Sequence, residues 1–160
     1  MASQLPTFPR FVFTIAEPIS LVFGAIYAIA WPDWFTAEQL GTPAAALTAL
    51  TGHSRVVARQ LGNCYGLAFL VAVAVLYSTS EPRVVRNYLV ALWLADIGHV
   101  AISCLALGRD QALAVADWNI LAWGNIGITA FLFFTRTAYF LGLFGPDKPH
   151  PAQLLRKKAK

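Results

Sequence analysis

The sequence predicts an all-α fold, a four-transmembrane-helix bundle with N and C termini cytosolic, built as a single integral membrane domain over residues 1–160. Three observations predict it. Apolar residues make up 58% of the chain and charged residues only 12%, whereas water-soluble domains carry about 25% charged residues. The apolar residues collect into four runs, approximately 11–31, 56–77, 86–107 and 118–144, each long enough to cross a bilayer, which takes ~20 residues. Polar connectors carrying Pro and Gly separate the runs.

The first run ends at Trp31-Pro32-Asp33-Trp34. It is too long for a signal-peptide core and lacks a small-residue cleavage site, so it is expected to be retained. Trp31 and Trp34 fit an interfacial aromatic belt. Glu17-Pro18 lies inside this run, where the proline frees a backbone carbonyl and kinks the helix. Residues 33–54 read as a polar, Ala/Thr-rich connector, in which Thr42-Pro43 before three alanines suggests a short surface helix. The second run opens with Arg55 and Arg59; Gln60 and Asn63 share a face, and Gly62 with Gly66 gives the spacing that lets helices approach closely. A short turn around Glu81-Pro82 makes runs two and three antiparallel neighbours. The third run carries Trp93, Asp96, His99 and Ser103 down one face and ends at Gly108. The fourth, from Asp117-Trp118-Asn119 to Phe144-Gly145-Pro146, is longer than a crossing requires and is expected to tilt.

Charge sets the orientation and narrows the partners. The net charge is +4, but four of the twelve Lys and Arg residues lie in the last five positions. That is a tail over 148–160, and nothing else resembles a nucleic-acid module, so no nucleic-acid partner is expected. Eight basic residues fall on one side of the four runs and three on the other, which puts both termini in the cytosol. Lys157-Lys158-Ala159-Lys160 has the form of a dilysine retrieval signal, with a polybasic segment on anionic lipid as the alternative. Cys64 and Cys104 lie inside apolar runs and imply no disulfide framework.

Ionisable groups inside such runs are costly, at least ~2.5–3.5 kcal/mol each near the bilayer centre, and so point to function. With ~1.5 Å rise per residue, Asp96 falls at the centre; Asn63, His99 and Asn125 lie ~4–6 Å to one side, Glu17 ~6 Å and Arg136 ~10 Å to the other. Four helices thus contribute polar side chains to one slab, which predicts an internal polar pocket. Desolvation favours the neutral form of a carboxyl, the state a general acid needs. Asp96 and His99, three apart, share a helix face and are expected to act as a pair; Glu17 is the better neutral acid unless Arg136 reaches it. The candidate catalytic residues are therefore Glu17, Asp96 and His99. Asn63, Trp93, Trp118, Trp123 and Asn125 are candidate substrate contacts, with Trp123 able to shield a cation through its ring. No metal site or cofactor is expected. Each polar group also has a structural alternative, as an ion pair of Glu17 with Arg136 or as hydrogen bonds between helices.

At Glu17-Pro18-Ile19-Ser20, Gln60-Leu61-Gly62-Asn63-Cys64-Tyr65, Ala95-Asp96-Ile97-Gly98-His99 and Trp118-Asn119-Ile120-Leu121-Ala122-Trp123-Gly124-Asn125-Ile126-Gly127, the chain resembles a family of small fungal four-span integral membrane proteins. Some members appear in secondary-metabolite pathways, and the resemblance extends to the membrane epoxide hydrolases of aurovertin- and citreoviridin-type polyketide pathways. It implies an enzyme that opens an epoxide, by hydrolysis or cyclisation, on a lipophilic polyketide or terpenoid, and the dilysine form of the tail implies the endoplasmic-reticulum membrane. The implied partners are that small molecule and membrane lipid. Where the family often has an acid a few turns beyond the asparagine of the second span, this chain has only Val71 to Val75. Two other classes fit the same residues: a proton-transfer terpene cyclase or sterol-isomerase-like protein, and a non-catalytic lipid-binding or assembly protein. Oligomeric state is left open.

Overall fold

A computed structural model describes residues 4–39, 52–79 and 81–148. Among these residues every regular element is helical. The helix suggested at Thr42-Pro43 and the dilysine tail lie outside them.

Helix α1 (Thr7–Ala30) is continuous but not uniform: a π turn, Val12–Ala16, sits between two α-helical stretches. Pro18 explains part of this, since it has no N–H to offer the carbonyl of Thr14. The Tyr77 hydroxyl donates to that carbonyl instead, at 2.8 Å. Tyr77→Phe is expected to lower stability by ~1–3 kcal/mol by orphaning an acceptor where lipid supplies no donor. The measurement is a thermal melt in detergent; an unchanged midpoint would rule the bond out as a stabilising contact.

Helix α1 stops at Trp31, whose backbone leaves the helical region because Pro32 follows. Helix α2 (Pro32–Gln39) starts there, with proline at its first position and Asp33 in its first turn. The connector expected over 33–54 thus begins as a helix. Tyr27 stacks obliquely on both Trp31 and Trp34, at 5.7 and 5.3 Å. Arg55 donates from Nε and Nη2 to the two oxygens of Asp33. That hydrogen-bonded guanidinium holds the Asp33 carboxyl below the usual carboxylate range.

Helices α3 (Gly52–Ser78) and α4 (Pro82–Leu107) follow. Gly108, at φ 80°, closes α4 in a conformation that favours glycine. A short helix α5 (Arg109–Leu113) and a 3₁₀ turn, Val115–Asp117, lead to α6, residues 120–140. Helix α6 is capped by Asn119, whose side-chain oxygen accepts from the Ala122 N–H. It contains a second π turn, Trp123–Ile128, before its final α-helical stretch Thr129–Phe140. Helices α1, α3 and α4 are long and apolar enough to cross a membrane. The fourth run is less apolar because Trp123, Asn125 and Arg136 lie in it.

Packing pairs α1 with α3 and α4 with α6, while α3 and α4 touch little despite the short turn between them. Gly62 explains the first pair: a Cβ there would stand 2.7 Å from Ile29 and 3.0 Å from the Ala25 carbonyl. Gly66, expected to act with it, faces open space. The second pair is joined by Trp93, which stacks on Phe133 at 5.4 Å and donates to Thr137 Oγ1 at 2.9 Å. The first turns of α1 cross onto α6, with Phe8 against Phe131 and Phe13 against Tyr139.

The buried apolar cluster is Leu5, Val12, Phe13, Leu76, Val85, Leu89 and Leu132. It draws on the residues at the start of α1, the end of α3, the start of α4 and Leu132 of α6, so it sits at the end where the described residues begin and finish. There the Lys148 N–H donates to the Gln4 carbonyl at 2.7 Å.

Candidate functional site

Next to this apolar cluster lies a buried ionic one. Arg136 is fully buried, and Glu17 and Asp96 are 6% and 8% exposed. One guanidinium nitrogen of Arg136 donates to Asp96 and the other to Glu17, and the group lies over the Phe13 ring, 5.2 Å from its centroid. Among the described residues, Arg136 Nε is the fully buried side-chain polar atom without a hydrogen-bond partner. Three helices, α1, α4 and α6, thus meet at one point.

Local geometry explains the convergence. Helical side chains tilt toward the N-terminus of their own helix. Arg86 over Phe140, and Trp93 on Phe133, set α4 and α6 antiparallel, so the Arg136 arm runs inward along α6 toward the level of Asp96. The π turn before Glu17 widens α1 just ahead of the acid, and such turns recur at functional sites. Two carboxylates and one guanidinium would carry a net negative charge in apolar surroundings; a single proton on either carboxyl neutralises the three.

The expected pairing of Asp96 with His99 is not what the structure contains. Asp96 turns to Arg136, and the polar side chain that acts on His99 is Asn125. The reason is competition: a guanidinium offers a carboxylate a charge-assisted bond that a neutral imidazole cannot match. Asn125 in turn donates from Nδ2 to Gln39 Oε1 at 2.7 Å, and Asn119 donates to the Glu38 carbonyl at 2.8 Å. The end of α2 is thereby fastened to the start of α6, and a line of polar groups runs Gln39, Asn125, His99. His99 and Asn125 are half-buried. The amide nitrogen of Asn125 is engaged by Gln39, so an imidazole N–H donated to its oxygen would leave the other ring nitrogen of His99 as an acceptor.

The remaining candidates fall outside these groups. Trp93 is bound to Thr137 as described. Trp118 donates to the Gln111 carbonyl at 3.2 Å and meets Trp123 edge-on, at 5.2 Å. Trp123 is 50% exposed, and its ring folds across Gly127, where a Cβ would come within 2.5 Å of it. Asn63 is exposed on α3 and joins no polar group among the described residues. Its expected place in the pocket depended on depth alone, and depth says nothing about which side of a helix a residue occupies.

The sequence does not single out Gln39 or Tyr77. Gln39 lies in the segment that reads as a connector, although Pro32-Asp33 after Trp31 is a helix-start signal. Pro18 did signal a carbonyl in need of a donor. Among the described residues no three His, Cys, Asp or Glu side chains gather as metal ligands would. An apolar groove of about 440 Å³ runs along the outside of α1 and α3, lined by Pro18, Val22, Phe69 and Val73 among others.

These features define an all-helical protein with three helices able to span a membrane and a buried ionic cluster between its helices. The chain belongs to the DUF7704 family, described as a domain of unknown function, whose family model matches residues 2–146. No curated protein and no solved structure matches it.

Proposed function

We propose that this protein is a four-span enzyme of the endoplasmic-reticulum membrane, with both termini cytosolic, that opens an epoxide on a lipophilic polyketide or terpenoid. The observation that carries the proposal is the buried cluster of Glu17, Arg136 and Asp96 one helical turn from half-buried His99. Under this reading it supplies a proton donor and a base inside apolar helices. The likeness to small fungal membrane proteins of secondary metabolism supports the same chemistry, and the antiparallel seating of α6 on α4 supports a fourth crossing.

In this mechanism the proton held by the cluster sits on Asp96, the acid nearer His99. Asp96 donates it to the oxirane oxygen as the C–O bond breaks. Water attacks the carbon, and His99 takes the water's proton, giving a diol. If a hydroxyl of the substrate attacks instead, the product is a cyclic ether and no water oxygen enters. Arg136 and Glu17 position Asp96, and Asn125 with Gln39 positions the imidazole. Trp118 and Trp123 supply ring faces for the carbon that gains positive charge.

The test is to reconstitute the full chain in lipid vesicles, supply lipophilic polyene epoxides in heavy-oxygen water, and follow products by mass spectrometry. One labelled oxygen per diol supports hydrolysis. Isomerised alkene with no epoxide consumed would replace this proposal with the proton-transfer isomerase. The complete burial of Arg136 favours a second reading, in which the cluster only joins helices. Under that reading no substrate turns over, and changes at His99 have no chemical consequence.

A further inference from the structure

Asn63 stands apart from the buried polar groups of the apolar helices. Glu17, Trp93, Asp96, Asn125 and Arg136 each have a hydrogen-bond partner inside the protomer. Asn63 has none among the described residues and is exposed, as is Gln60 one turn before it. Asn63 lies ~16 Å along α3 from Gly52, well inside a hydrocarbon layer ~30 Å thick centred on the helix. Lipid chains offer a carboxamide neither donor nor acceptor, so its hydrogen-bonding capacity goes unmet there.

The residues along the same outer stripe are Val56, Gln60, Asn63, Leu67, Leu70 and Ala74, all exposed. Their alternating steps of four and three are those of a coiled-coil seam, with Asn63 at one core position. Gly66 beside it has open space in front of it, which gives a facing side chain room to enter. No charged residue occurs from Gln60 to Tyr77, so two such stripes meet without repulsion.

We propose that a second copy of this chain covers this stripe, the two α3 helices pairing about a two-fold axis with Asn63 hydrogen-bonded to Asn63 or Gln60 of the other copy. A carboxamide carries both donor and acceptor and is therefore its own complement, which a two-fold interface requires. Asparagine in such a seam fixes register and partner number. The proposal rests on α3 crossing a bilayer and is independent of any catalytic role.

The test uses the full chain in lipid vesicles, labelled for energy transfer and diluted with lipid. Asn63→Leu is expected to weaken self-association about tenfold, equivalent to ~1.4 kcal/mol, with Asn63→Gln restoring most of it. In a Cys64→Ala, Cys104→Ala background, Leu70→Cys is expected to form a disulfide dimer on oxidation, whereas Ile26→Cys, exposed on α1, is not. A wild type that stays monomeric at high protein-to-lipid ratio overturns the proposal, as does an Asn63→Leu protein that associates normally. So does cross-linking through Ile26 in place of Leu70. Two further outcomes count against it: Asn63→Leu lowering the melting point of the diluted monomer, which would reveal a partner within the protomer, or lowering its turnover, which would make Asn63 a ligand contact.

Discussion

Arg136→Leu is expected to destabilise the protein by ~3–5 kcal/mol, the usual cost of removing one partner from a buried ionic group. The size follows from where the residue sits. Arg136 is 0% exposed, and it is the group that binds Glu17 of α1 and Asp96 of α4 to α6. Without it two carboxyls face each other in apolar surroundings, and three helices lose their common point. The triple variant Glu17→Gln, Asp96→Asn, Arg136→Leu is expected to recover much of the loss, because no buried charge is left to compensate. Melts followed by circular dichroism in detergent decide between them. A single variant as stable as the parent would show that the cluster does not hold the helices together.

Loss of turnover is the second large effect. Asp96→Asn and His99→Gln are each expected to lower turnover of a lipophilic epoxide at least ~100-fold, the lower end of what a positioned acid or base contributes. The two should differ in stability. Asp96→Asn weakens a charged contact to Arg136, whereas His99→Gln keeps an amide able to bond Asn125 and should melt close to the parent. That split separates chemistry from architecture. If His99→Gln turns over normally, His99 is not the base, whatever happens at Asp96.

Much of this was legible in the chain because composition and polar outliers are strong signals in membrane segments. Helices α1, α3 and α4 follow from unbroken apolar runs, and each begins about one turn earlier than its run, in the polar flank, while its far end falls within a residue of the run's. The pairing of Glu17 with Arg136 was legible as a structural alternative, but the reach of Arg136 to Asp96 was not, since the rise per residue put the two ~10 Å apart in height. Other partners were not legible either, since rise per residue fixes height but packing fixes rotation. Asn63 shows the difference, for it lies on the outer side of its helix. Gln39 escaped for another reason, because a short helix made of polar and aromatic residues has little periodicity to betray it. The two π turns left no mark in the sequence except Pro18, which accounts for one of them.

The bond between Lys148 and Gln4 also bears on topology. A polymer that sets out from one face of a sheet and returns to the same face has pierced it an even number of times. Three piercings would part those two residues by the thickness of the bilayer, whereas the proposed four-span arrangement, with α6 as the fourth, keeps them on one face. Epitope tags at the two extremities should accordingly be shielded from protease, or cut by it, together; a sealed vesicle in which one is digested and the other survives would break that parity.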